Sequence, residues 1–166
     1  VSLLKTFHAF GLRMVGPVHF RNNQFADSAT DISPRYGGLS SLGEALVKEA
    51  NRLGMIVDGS HAADSSVEDM IALSTTPIIL SHTGGKAIYD HPRNIDDVFL
   101  KKVADSCGVI QINAFGGYLE ALEPTAERAA ALAEIQAEFG EDMTALSPER
   151  QIEARTAFEA VNEAFP

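Results

Sequence analysis

An α/β fold built on parallel strands is what the sequence predicts, on three observations. Short apolar runs rich in β-branched residues recur along residues 1–119, as expected of strands that are buried on both faces. Stretches in which apolar residues have helical spacing separate these runs. Glycine, proline and small polar residues mark each change from one element to the next. Together these features predict about four strands alternating with helices, which is typical of a parallel sheet or barrel.

The order of the elements follows from this punctuation. Strands are predicted over residues 12–18, 55–57, 78–80 and 109–113. Helices are predicted between them, over about 42–53, 65–74 and 95–106. Ser40 or Ser41 is expected to cap the first of these helices, and Ser65 or Ser66 the second, because serine hydroxyls accept hydrogen bonds from a helix N-terminus.

The sequence changes character after residue 119. Residues 125–139 are rich in alanine and glutamate, and Pro148 after Ser147 is a favourable first residue for a second helix ending at about Phe165. No strand-like run separates these two helices. We therefore expect residues 1–119 to form the strand–helix units of a single domain, and residues 120–166 to form a helical hairpin. The hairpin is either inserted in that domain or appended to it, and an insertion is our prediction.

The length of the chain bears on the fold. A complete eight-fold barrel needs about 250 residues, whereas this chain has 166. It supplies about half the strands, and a sheet left open at its edge is prone to pair with other chains. We therefore predict a partial (β/α)8 TIM-type barrel of about four βα units with a C-terminal helical hairpin. A small open sheet is the alternative.

Composition excludes several classes of protein. The formal net charge of −10 argues against nucleic-acid binding, which needs clustered lysine and arginine. Cys107 is the single cysteine, so an internal disulfide or a cysteine-based zinc cluster is excluded. No apolar run approaches the roughly 20 residues of a transmembrane segment. We expect a soluble protein, cytoplasmic or periplasmic rather than membrane-anchored, although the sequence specifies no compartment.

Three of the five histidines follow predicted strands, namely His19, His61 and His82. In barrels of alternating strands and helices, the reacting groups lie where strands end. Imidazole is a good zinc ligand, and a catalytic zinc keeps a position open for water. The pattern therefore indicates a metal or catalytic site, with a purely structural role as the alternative. Asp58 either orients a histidine ligand or caps its turn, and His8 is interpreted as a packing or surface residue.

A second group of candidates lies beyond the His82 strand. Arg93 can hold a carboxylate through two parallel hydrogen bonds, or it forms a surface ion pair with Asp96 or Asp97. His91, in the same loop, is interpreted as a residue that shapes the loop. Tyr118 follows the last strand, and it is a candidate for the wall of the same site.

Several of these segments together form a recognisable pattern. They are RLGMIVDGSH at 52–61, PIILSHT at 77–83, RNIDD at 93–97, VHFRNN at 18–23 with Ala26-Asp27, and GGLS at 37–40. In order and spacing they resemble the membrane dipeptidase (renal dipeptidase) family of zinc peptidases. The resemblance covers about Leu3 to Leu119.

The resemblance implies a (β/α)8 barrel with two zinc ions and a metal-bridging hydroxide that hydrolyses the peptide bond of dipeptides. His61 and His82 match the ligands of one zinc. His19 matches a catalytic histidine that contacts the substrate and stabilises the tetrahedral intermediate. Arg93 matches the arginine that holds the terminal carboxylate, and Tyr118 matches part of the pocket wall. The implied partner is a dipeptide substrate, and a homodimer is left open.

The chain also departs from that family. The family has a His-x-Asp pair near its start, a bridging glutamate shortly before the segment that matches Val1, and a late catalytic aspartate, and none has a counterpart here. We therefore predict an internal fragment of a metallo-dipeptidase with at most one partial zinc site. The alternatives are a truncated, inactive barrel that serves as a binding or structural module, and another amidohydrolase-like metal hydrolase acting on a cyclic amide or an ester.

Overall fold

The computed structural model describes residues 1–121, 123–140 and 142–165. It divides into two compact units, Val1–Ala121 and Leu122–Pro166. Strands and helices alternate in the first unit, and the described part of the second is helical, so the fold is α/β. The predicted hairpin includes residues 122, 141 and 166, which lie outside the described residues.

Eight helices and strands, counted over the described residues, form the first unit. They are α1 (Ser2–Ala9), β1 (Met14–Val15), α2 (Ser41–Arg52), β2 (Ile56–Val57), α3 (Asp64–Leu73), β3 (Ile79–Thr83), α4 (Asp97–Asp105) and β4 (Val109–Ile112). A short 3-10 helix follows at Gly116–Tyr118. The alternation predicted from the sequence is present, but β1 and β2 are only two residues long.

The strands pair in parallel and in the order of the sequence. β1 pairs with β2, with Met14 opposite Ile56. β3 pairs with β4, with Ile79 opposite Val109. A single parallel bridge between Asp58 and Ile79 links the end of β2 to β3. Parallel pairing brings the carboxyl ends of these strands to the same edge, which is where the candidate histidines follow.

The core of the first unit lies between the strands and the helices that connect them. Val57 of β2 and Leu80 of β3 are each 2% exposed. They belong to a cluster with apolar residues of three helices, which are Leu46, Val47 and Ala50 of α2, Val67 and Met70 of α3, and Val103 of α4. This burial fixes the strand ends that carry the candidate site.

Of the two predicted helix caps, the one on α2 is confirmed and the one on α3 is wrong. The Ser40 hydroxyl accepts a hydrogen bond from the Gly43 amide at 3.1 Å, so Ser40 caps α2 as predicted. The prediction for α3 was wrong, because that helix starts at Asp64 after Ala63, which provides no side-chain cap. Ser66 instead donates its hydroxyl to the Asp27 carbonyl at 3.0 Å, a contact between distant segments that local sequence does not reveal.

The second unit is a pair of helices, α5 (Ala126–Phe139) and α6 (Pro148–Ala164). Thr125 and Ser147 cap them. Ile135, Phe139 and Ala154 form its buried core. Within the described residues of the chain, neither these helices nor the earlier ones combine the length and apolar character needed to cross a membrane.

Candidate metal centre

Two histidines meet where β2 and β3 end. His61 lies in the turn after β2, and His82 is the second-last residue of β3. Their Nε2 atoms are 2.9 Å apart, and their rings are 4.9 Å apart at an interplanar angle of 62°. The structure thus brings the two predicted zinc ligands together with the same ring nitrogen of each pointing to a common position.

The surroundings keep His61 neutral. Burial is the largest of the effects that lower the pKa of His61 to about 4. The positive guanidinium of Arg93 and the rings of His19 and His82 lower it further, whereas the Asp58 carboxylate acts in the opposite direction. A neutral imidazole has a free lone pair, which is the form that binds a metal. The electrostatics of this position therefore suit a ligand.

The donor set fits one zinc ion in part. Two imidazoles on a tetrahedral zinc, with Zn–N bonds of about 2.0–2.1 Å, place their nitrogens roughly 3.3 Å apart. The observed 2.9 Å between Nε2 of His61 and Nε2 of His82 is close to that spacing. Among the described residues, however, no group of three or more histidine, cysteine or acidic side chains is arranged to hold a metal. The described residues therefore bring two candidate donors, His61 and His82, to one position.

Asp58 organises the turn that delivers both histidines. Its Oδ1 accepts hydrogen bonds from the Ser60 amide at 3.0 Å, the Ser60 hydroxyl at 2.6 Å and the Ser81 amide at 3.1 Å. Its Oδ2 accepts from the Ser81 hydroxyl at 2.5 Å. Burial alone would raise the pKa of Asp58, but these donors lower it, so the carboxylate stays charged. Asp58 thus caps the turn and also contacts the strand that carries His82.

His19 lies beside the pair. Its ring is 4.1 Å from that of His61, and the Phe20 ring meets His61 edge-on at 4.9 Å. Two hydroxyls hold this segment in place, since Ser28 donates to the His19 carbonyl at 2.6 Å and Thr30 to the Phe20 carbonyl at 2.8 Å. The predicted catalytic histidine is therefore adjacent to the two predicted ligands.

A cavity of about 440 Å³ opens onto the three histidines. Asp58, Ser60, Asn23 and residues 16–18 complete its lining. A second cavity, of about 610 Å³, lies beside the Lys86–Asp64 ion pair, and no histidine lines it. Because convergent imidazoles are the groups able to do chemistry, the smaller cavity is the candidate site.

Arg93 is buried at the edge of this site and is only 2% exposed. Its two terminal nitrogens donate to the backbone carbonyls of Ser60 and His82, the latter at 3.2 Å. No partner within the described residues meets its Nε. Burial lowers the pKa of Arg93. The side chain thus joins the two strand ends, and its predicted contact with a substrate carboxylate stays a prediction.

Tyr118 lies on Arg93 rather than in the histidine cavity. The Arg93 guanidinium is 5.7 Å from the centre of the Tyr118 ring, and the His91 ring is 4.6 Å from it. The Tyr118 carbonyl accepts a hydrogen bond from the Asn94 side chain at 2.8 Å. His91 accepts from the Arg93 amide at 3.0 Å, as expected of a residue that shapes the loop. The structure therefore forms two adjacent groups, one of histidines and one around Arg93.

Sequence reasoning missed the roles of Ser28, Ser60 and Ser81. A signal for two of them was present, because a serine directly precedes both His61 and His82. Ser28 had no such signal, since its bond to the His19 carbonyl spans nine residues of an irregular loop. These hydroxyls connect the candidate side chains to one another and to the backbone.

Comparison with known proteins gives a consistent result. The membrane dipeptidase family (peptidase family M19) matches residues 1–160. Dipeptidase tcpJ of Claviceps purpurea is 40% identical over 112 residues, which are 68% of this chain and 26% of that protein. The resemblance seen in the sequence over Leu3–Leu119 is thereby confirmed.

Solved structures agree with this match. The probable dipeptidase PvdM from Pseudomonas aeruginosa is 32% identical with a TM-score of 0.77, over 99% of this chain and 46% of that one. A metallo peptidase from Rhodobacter sphaeroides, liganded with a phosphinate mimic of the dipeptide L-Ala-D-Ala, is 29% identical with a TM-score of 0.62, over 83% and 42%. The chain thus spans about a quarter of the Claviceps relative and less than half of these structures. Because the family match covers nearly all of its residues, the chain belongs to the membrane dipeptidase family, peptidase family M19.

Proposed function

We propose that this chain carries part of the active site of a zinc-dependent dipeptidase, and that its strands belong to a (β/α)8 barrel. The observation that carries the proposal is the meeting of the His61 and His82 Nε2 atoms at 2.9 Å, beside His19, in a member of a dipeptidase family. The substrate class is a dipeptide, in line with the ligand of the Rhodobacter sphaeroides relative. A homodimer stays a prediction.

Each predicted residue has a part in this proposal. His61 and His82 would hold one zinc ion through Nε2. Zinc, when bound, supplies Lewis acidity and a water of lowered pKa. His19, next to the pair, donates a hydrogen bond to the carbonyl oxygen of the scissile bond as negative charge develops there. Arg93 binds the free carboxylate of the dipeptide, with Tyr118 against its guanidinium.

The metal role of the pair can be tested in the complete enzyme by zinc-dependent release of amino acids from dipeptides such as L-Ala-D-Ala. We expect zinc to be required, and we expect His61→Ala and His82→Ala each to abolish both zinc binding and turnover. His8→Ala, on α1, is the matched control and should change neither. Full activity in His61→Ala or His82→Ala would refute the ligand assignment. No turnover, with weak or no zinc binding, would instead favour a truncated, inactive binding or structural module, because the described residues hold two donors only.

The carboxylate role of Arg93 needs a separate test, because this side chain also bonds two backbone carbonyls. Lysine keeps the charge but cannot form two parallel hydrogen bonds with a carboxylate. We expect Arg93→Lys to raise KM for a dipeptide by about tenfold or more, the effect of losing a hydrogen bond to a charged group. A C-terminally amidated dipeptide should be a poor substrate for the unmodified protein. Equal use of the free and amidated dipeptides would favour a different metal hydrolase.

A further inference from the structure

We propose that Asp58, Ser60 and Ser81 are positioning residues that set the tautomer of His82, so that its Nε2 lone pair faces the metal position. This inference rests on the proposed function, because it concerns one of the two histidines assigned to zinc. It assigns a specific positioning role to three residues that contact one another beside the two histidines.

The hydroxyl groups of Ser60 and Ser81 both contact the Asp58 carboxylate. A carboxylate only accepts hydrogen bonds, and each serine hydroxyl has a single proton to give. The Ser60 hydroxyl lies 2.6 Å from Asp58 Oδ1, and the Ser81 hydroxyl lies 2.5 Å from Asp58 Oδ2. Contacts this short to a charged acceptor are the strongest available to these groups. Both protons therefore point to Asp58, and both oxygens are left as acceptors.

The Ser60 and Ser81 oxygens each lie within hydrogen-bond distance of a nitrogen of His82. The Ser60 oxygen lies 3.0 Å from the backbone amide of His82, which donates to it. The Ser81 oxygen lies 2.8 Å from His82 Nδ1. Because the Ser81 proton is already on Asp58, this second contact is a hydrogen bond only if Nδ1 carries the proton.

The position of the proton on the His82 ring determines which of its nitrogens has a free lone pair. A neutral ring has one N–H, so a proton on Nδ1 leaves a lone pair on Nε2. In His82, that lone pair faces Nε2 of His61 at 2.9 Å. In the metal-free protein, His61 Nε2–H is then the donor in this contact. His61 Nδ1 is buried and meets no partner among the described residues, so its tautomer is not fixed in the same way.

Asp58 thus acts on His82 at two points through two serines. One serine holds the backbone amide and the other holds the ring. Hydrogen-bond partners of metal-binding histidines fix the ring orientation, and their loss typically reduces metal affinity by about 10- to 100-fold. The expected effect of removing the carboxylate is therefore on the ligand rather than on the substrate.

The test uses the 166-residue chain with ¹⁵N-labelled histidine. Long-range ¹H–¹⁵N spectra of the metal-free protein distinguish Nδ1–H from Nε2–H rings, and we expect Nδ1–H for His82. In Asp58→Asn the amide can donate to Ser81, which then donates to His82 Nδ1, so the ring should change to Nε2–H. Zinc affinity, measured by competition with a chromogenic chelator, should fall by roughly 10- to 100-fold.

Matched variants separate positioning from general damage. Asp105→Asn makes the same chemical change at a carboxylate that is 66% exposed on α4, and should leave tautomer and affinity unchanged. Ser81→Ala should weaken zinc binding, and Ser81→Thr, which keeps the hydroxyl, should restore it. If circular dichroism shows that Asp58→Asn fails to fold, the comparison of Ser81→Ala with Ser81→Thr tests the positioning role instead.

Two results would overturn the inference. One is an Nε2–H ring for His82 in the unmodified protein, and the other is unchanged zinc affinity in Ser81→Ala. A lack of zinc binding by the unmodified chain would count against the assignment of His61 and His82 to zinc, which belongs to the proposed function, instead. The tautomer of His82 would still decide the positioning role in that case, since it is measured without metal.

Discussion

Two buried charged side chains in the first unit, Asp27 and Arg93, are held mainly by hydrogen bonds to the backbone. The Asp27 carboxylate accepts hydrogen bonds from four consecutive amides, those of residues 35–38, at 2.7–3.2 Å. The Arg93 guanidinium donates to the carbonyls of Ser60 and His82. An unpaired buried charge is costly unless such bonds offset its desolvation. At the residue scale, these two side chains therefore fix the loops on either side of the histidines.

We predict that Asp27→Asn destabilises the protein. Burial alone would raise the pKa of Asp27, but the four backbone donors lower it below its ordinary value of 3.8. An asparagine amide group would face some of those donors with its own N–H, leaving them unsatisfied. Urea unfolding at pH 7 should show a loss of roughly 2–4 kcal/mol, the scale of hydrogen bonds to a charged group together with unsatisfied buried donors.

The pH dependence of the same variant checks the cause. As pH falls below about 4, the unfolded chain takes up a proton at this position before the folded chain does, so this contribution to stability is lost toward acid. The unfolding free energy of Asp27→Asn should therefore fall less steeply below pH 4 than that of the unmodified protein. Asp105→Asn is the exposed control. An identical acid slope in Asp27→Asn and the unmodified protein would show that the backbone bonds do not act through the charge.

Some of the candidate site can be predicted from sequence because its residues follow strands. His61 and His82 each end a short apolar run, and parallel strands bring such ends to one edge. Asp27 could be associated with the family pattern, but not with its four amides. Those donors lie 8–11 residues away in an irregular loop. Contacts of this kind depend on the folded path of the loop, which local patterns do not encode.

At the scale of elements, α2 packs unusually close to the loop that precedes it. A Cβ on Gly43 would lie 2.0 Å from the Phe25 carbonyl oxygen, which also accepts from the Ser40 amide at 2.8 Å. Gly43 is therefore required for the contact between the first turn of α2 and the backbone just before Asp27. This contact connects the helix to the loop that holds His19.

We predict that Gly43→Ala destabilises the protein, although alanine normally favours a helix over glycine by about 1 kcal/mol. The obstacle is a backbone carbonyl, so the helix or the loop would have to move. Overpacking of this kind costs typically about 1–3 kcal/mol. Thermal unfolding should show a lower Tm for Gly43→Ala. Gly85→Ala is the control, because a Cβ there meets no atom within 4 Å, and a Tm for Gly43→Ala at or above the unmodified value would contradict the packing described.

The elements themselves differ in how far local sequence determines them. α2 has a capping serine and a regular apolar face, and it begins within one residue of its predicted start. The predicted strand over 12–18 is reduced to Met14–Val15, because Gly16 and Pro17 turn the chain toward His19. α3 lacks its predicted serine cap because it begins at Asp64, so Ser65 and Ser66 lie inside the helix, where Ser66 bonds to Asp27. Long periodic segments are thus predictable, whereas short strands and caps depend on distant contacts.

At the scale of the whole molecule, the strands bury one face and expose the other. Met14 and Ile56 are neighbours across β1 and β2 and are 41% and 46% exposed. Val109 of β4 is 53% exposed. Parallel sheets are ordinarily covered on both faces. The face formed by Met14, Ile56 and Val109 is therefore the one that the barrel proposed above would enclose.

We predict that the 166-residue chain self-associates through this face. Each apolar side chain of this size gains about 1.5–3 kcal/mol when it is buried. The chain's net charge of −10 opposes association, and salt weakens this repulsion by screening it. Sedimentation equilibrium should show association that strengthens with protein concentration and with salt, and the chain should bind the dye ANS. Ile56→Asp should reduce both signals, because it places a charge in the centre of the face.

Ile152→Asp is the control that tests whether association depends on the strand face formed by Met14, Ile56 and Val109. Ile152 is more exposed, at 68%, but it lies on α6 in the second unit. If exposure alone drove association, this variant would have at least as large an effect as Ile56→Asp. We expect it to leave ANS binding and the association constant unchanged. Equal effects of the two variants would assign the association to general hydrophobicity rather than to the strand face, and a chain that stayed monomeric at every concentration and salt would refute the prediction.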